Sequence, residues 1–87
     1  MIRDERVILA ILERVSAAPP GGFEALRMVE EGFDQEKLMR HIDHLMATGY
    51  LEGRMRAPTQ YGGRFRTADV AGLTSQGRAL LARMTAG

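Results

Sequence analysis

Cysteine is absent from the 87 residues. Disulfides, zinc–thiolate centres, iron–sulfur clusters and thiol nucleophiles are excluded together. Without disulfide staples a hydrophobic core must hold the chain, which fits a reducing compartment. Long apolar runs are also missing. The longest, Val7 to Leu12, is far short of the ~20 residues needed to cross a bilayer. The opening residues Met1-Ile2-Arg3-Asp4-Glu5-Arg6 are charged and lack the apolar centre of a secretory signal. The expected location is the cytoplasm, with no membrane association. An excess of one charge sign is missing too, since the formal net charge is +1.

The length fits one domain spanning residues 1–87 and leaves no room for a two-lobed enzyme or a barrel. A domain this small buries only about 60–65% of its unfolded surface. Charge is unevenly spread along it. Residues 1–52 hold ten acids and six bases, whereas residues 53–87 hold six arginines and one acid, Asp69. Such asymmetry points to a surface that meets a polyanion.

Val7, Ile8, Ile11, Leu12 and Val15 recur at helical spacing. Asp4 can cap that helix, and Pro19-Pro20-Gly21-Gly22 ends it, so it is expected over about 4–17. Phe23 to Val29 is ambiguous, because Ala25, Leu26, Arg27 and Met28 are good helix formers in a segment short enough to be a strand. A second clear helix starts at the cap candidate Asp34, carries Leu38, Ile42, Leu45 and Met46 inward, and ends at Gly49 in the C′ position. Tyr50 to Arg56 and Phe65 to Val70 read as strands. Between them, Ala57 to Arg64 reads as a turn-rich loop. Thr74 caps a last helix with Ala79, Leu80, Leu81 and Met84 facing in. The six methionines (Met1, Met28, Met39, Met46, Met55 and Met84) are expected to fill gaps in the core.

The order is helix, short element, helix, hairpin, helix. It defines an α+β fold: a winged helix-turn-helix with three main helices and a β-hairpin wing. Three motifs resemble a family of small, uncharacterised winged-helix proteins from bacteria and phages. They are Arg3-Asp4 followed by Ile8, Ile11 and Leu12; the run from His41 through Leu45 and Gly49 to Leu51; and Leu73-Thr74-Ser75-Gln76-Gly77 before Arg78 to Met84. Phe33 stands where that family commonly has tyrosine, and Ser75 where it has an aromatic residue. The resemblance implies a strand for Phe23 to Val29 and supplies no catalytic residues.

The hairpin carries the strongest functional signal. Arg54, Arg56, Arg64 and Arg66 fall within thirteen residues that contain no acid, interleaved with Tyr61 and Phe65. Arginine offers planar, forked donors suited to phosphate. A basic wing would straddle the backbone of double-stranded DNA beside a helix in the major groove. On that helix Gln35, Lys37, Arg40 and His44 are the candidate contacts, although three acids against two bases in 34–48 oppose phosphate. The expected function is DNA binding, as a phage- or prophage-linked transcriptional regulator. The alternative is a winged helix that docks on protein, an adaptor or an inhibitor of a host complex, through Glu36, Arg40, Asp43 and His44. A homodimer built on Leu12, Val15, Leu81 and Met84 is a further expectation.

His41 and His44 are spaced i, i+3, but no third ligand is evident, and His41 reads as a packed core histidine. No catalytic triad, phosphate loop or carboxylate pair stands out. No enzyme activity, cofactor or metal is expected.

Overall fold

The computed structural model describes residues 4–56 and 67–86, without the side chains of Arg56 and Thr67. Its elements run α1 (Glu5–Ala17), α2 (Ala25–Glu30), α3 (Gln35–Ala47), β1 (Leu51–Arg56), β2 (Thr67–Leu73) and α4 (Ser75–Thr85). This is an α+β winged helix-turn-helix, with α2 and α3 as the helical pair and antiparallel β1 and β2 as the wing.

The three long helices start at the caps read from the sequence. The Asp4 carboxylate accepts from the amides of Arg6 and Val7, Asp34 from Lys37, and Thr74 from Gly77. Each satisfies amides that a helix start leaves orphaned. The end of α3 is a Schellman turn. The Gly49 amide donates to the Met46 carbonyl (3.2 Å) and the Tyr50 amide to the Leu45 carbonyl (2.8 Å), with Gly49 at φ 87°. That turn swings the chain directly from α3 into β1.

The core collects Val7, Ile8, Ile11, Leu12 and Val15 from α1, Met28 from α2, and Leu38, Met39, Ile42 and Leu45 from α3. Leu51 and Val70 close it from the sheet. Leu73, Leu80 and Leu81 pack on this cluster but remain half-buried. Met28 and Met39 are buried, while Met46, Met55 and Met84 are half-buried against the core. Met1 lies outside the described residues.

Four expectations need correction. Phe23 to Val29 is not a strand, because Ala25–Glu30 forms α2. A strand would put Arg27 on the same face as Ala25 and Val29. The helix instead groups Ala25, Met28 and Val29 inward and leaves Arg27 outside, 3.1 Å from Glu24. The turn before α2 is tied to β2 by a hydrogen bond from the Gly21 amide to the Ala71 carbonyl (3.1 Å). The second strand runs on to Leu73 rather than ending at Val70, since Leu51 pairs with Leu73 across the ladder. Ala79 is exposed, because the inward stripe of α4 is Gly77, Leu80, Leu81 and Met84. Leu12 and Val15 cannot build a dimer surface, since both are buried inside the monomer.

Candidate nucleic-acid interface

Lys37, Arg40 and His44 occupy positions i, i+3 and i+7 of α3 and therefore form one stripe. Gln35 lies about 200° from Lys37 around the helix, at about 100° per residue. It belongs to the flank shared by Met39 and Met46. The outermost face between the two flanks carries Glu36, Arg40 and Asp43.

Both cations of the stripe already face acids. Lys37 Nζ lies 2.6 Å from Asp4 Oδ2, and Arg40 Nη2 lies 2.8 Å from Glu36 Oε1. Surface pairs of this kind contribute little to stability, so a phosphate can exchange for the acid at small cost. His44 is half-buried and lines a cleft between α1, α3 and α4.

Behind the stripe stands a polar junction that joins α1 to α3. His41 is buried, with Nδ1 2.7 Å from the Lys37 carbonyl and Nε2 3.2 Å from the Asp4 amide. The amide can only donate and the carbonyl can only accept, which places the ring proton on Nδ1. His41 is thus the satisfied core histidine expected from the sequence. Among the described residues no group of three or more His, Asp or Glu side chains is placed to hold a metal. The hydrogen bond from Lys37 holds the Asp4 carboxyl below its ordinary value of 3.8, with help from the Val7 and Arg6 amides and against the opposite push of desolvation.

On the wing, Arg54 is exposed and stands opposite Asp69 in the ladder register. Arg56 closes the described part of β1, with its backbone paired to Thr67. Arg64 and Arg66, with Tyr61 and Phe65, lie outside the described residues. β1 follows α3 after the three residues Thr48-Gly49-Tyr50, and Arg54 lines a shallow cleft with Gly21, Phe23 and Asp69.

Sequence reasoning missed the second role of Asp4. Its carboxylate was legible as a cap, but its link to Lys37 and the bond from its amide to His41 cross 33 and 37 residues of sequence. It also missed the two-pronged ion pair between Arg14 and Glu31, which ties α1 to the turn after α2. No helix among the described residues is long and apolar enough to cross a membrane. Compared with protein-family models, with curated proteins and with solved structures, the chain gives no match.

Proposed function

We propose that the protein is a non-enzymatic, cytoplasmic DNA-binding protein, a transcriptional regulator that inserts α3 into the major groove and lays its wing on the backbone. The observation that carries this reading is the direct continuation of α3 into a hairpin with four arginines and no acid from Arg54 to Arg66. A helix of 13 residues is about 20 Å long and fits a major groove about 12 Å wide. Arg54, Arg56, Arg64 and Arg66 take the role of phosphate ligands. Lys37 and Arg40 exchange their acids for DNA, while Gln35 and His44 approach from the two flanks.

The two roles separate by experiment. Replacing the four wing arginines by alanine lowers the salt slope of binding by ~0.9 for each phosphate no longer neutralised and weakens all sequences alike. Gln35→Ala or Arg40→Ala instead changes sequence preference, because base contacts specify while phosphate contacts position. An unchanged salt slope in the wing variant would remove the wing from the interface.

One observation favours a second reading, a protein-docking module. The outer face of α3 mixes Glu36, Arg40 and Asp43, and its arginine is paired within the helix. Under that reading the wing variant folds normally and the parent protein binds no duplex.

A further inference from the structure

Asp69 is the one acid from Gly53 to Gly87. A break in the ladder decides which side of the wing carries it. β1 and β2 pair in step from Arg56 with Thr67 to Gly53 with Val70, and again at Glu52 with Gly72 and Leu51 with Leu73. Ala71 falls between the two runs and pairs with no residue of β1, which makes it a bulge. Its carbonyl accepts instead from the Gly21 amide (3.1 Å).

Without the bulge, alternation from Leu73 would put Ala71 and Asp69 on the core side and Val70 and Ala68 outside. The extra residue reverses that order. Val70 is buried, Ala68 packs on the core, and Asp69 is exposed. β1 keeps its alternation, with Leu51 and Met55 inward and Glu52 and Arg54 exposed. Glu52 shares the outer face but stands opposite Gly72, beyond the bulge. Asp69 stands directly opposite Arg54 on that face, and both line one shallow cleft. Opposed side chains of a ladder start about 4.5–5.5 Å apart at Cβ. That is inside the screening length of about 8–10 Å at 0.1–0.15 M salt.

We propose that Asp69 limits the affinity of the wing by competing with DNA phosphate for the Arg54 guanidinium. A carboxylate and a phosphate both suit that guanidinium, and the two anions repel each other. The wing arginines are therefore unequal, and Arg54 neutralises the backbone least. This regulation rests on the DNA reading, and the bulge creates it by turning the acid onto the arginine face.

The test is titration of the full chain onto random duplex from 50 to 150 mM salt. Asp69→Asn keeps the shape of an exposed side chain and should leave circular dichroism unchanged. It is expected to bind about three- to ten-fold tighter than the parent, with a salt slope steeper by ~0.9 for one more phosphate neutralised. With Arg54→Ala in the same chain, most of that gain and the change in slope are expected to disappear. Glu13→Gln removes an exposed acid of α1 and is expected to tighten binding far less. A gain that survives in full without Arg54, or that Glu13→Gln matches, would reflect net charge alone and overturn the proposal. Equal binding by the parent and Asp69→Asn would overturn it too, with the DNA reading left standing. Failure of both proteins to bind any duplex would overturn the DNA reading and the proposal together.

Discussion

At Asp4 one carboxylate caps α1 with Oδ1 and holds α3 with Oδ2. These roles respond differently to substitution. Asp4→Asn keeps a good capping group but discards the charge that faces Lys37, whereas Asp4→Ala loses both. Asp4→Ala should therefore be the less stable of the two at every pH. The charge part depends on pH. Because folding lowers the Asp4 pKa, the folded state binds this proton more weakly than the unfolded state. Its stabilisation is therefore present above the ordinary carboxylate range and lost as pH falls through the lowered value. Urea midpoints measured from neutral to acid pH should show Asp4→Asn below the parent at neutrality and the gap closing in acid. A gap independent of pH would show that Lys37 contributes nothing through charge. Only the cap was legible in the sequence, because Asp4 precedes an apolar stripe at the right offset. The partners Lys37 and His41 were hidden, since a local pattern carries no information about which helix packs alongside.

The turn from α3 into β1 and the start of α4 form one joint at the level of elements. The Thr74 hydroxyl donates to the Gly49 carbonyl (2.6 Å) and accepts from the Gly77 amide (3.0 Å). The Thr74 amide donates to the Tyr50 carbonyl (3.2 Å). Two motifs that read as separate in the sequence, Thr48-Gly49-Tyr50 and Leu73-Thr74 with Gly77, thus meet in space. Gly77 has a definite reason to be glycine, because a Cβ there would collide with the Tyr50 carbonyl oxygen. Gly77→Ala should cost about 1–3 kcal/mol although alanine is the better helix former. Gly72→Ala meets nothing within 4 Å and should stay within about 0.5 kcal/mol of the parent. Equal thermal shifts for the two variants would refute the close contact. Caps and apolar stripes made α1, α3 and α4 legible, since both are local signals. α2 was misjudged because six residues give less than two helical turns, too few for periodicity to outweigh a family pattern.

Over the whole molecule, α1, α3 and the wing share one core, and Leu45 sits at its centre with 1% exposure. Leu45→Ala is expected to cost about 2–5 kcal/mol, a large share of a small domain's stability. A cost below ~0.5 kcal/mol in chemical denaturation would place Leu45 at the surface and rule out this packing. That core fixes the angle at which α3 and the wing are presented together. The site was less legible than the fold. Arginine density marked the wing from composition alone. Which cations of α3 share a stripe, and which acids hold them, depends on helix phase and on α1 lying alongside.

Whether this joined surface binds DNA is decided by titrating the parent protein onto random duplex across 50–150 mM salt. The expected dissociation constant is about 10⁻⁴–10⁻⁶ M, weakening linearly on logarithmic axes with a slope of ~0.9 per phosphate neutralised. Absence of binding to any duplex in that range, or binding indifferent to salt, would refute the DNA reading.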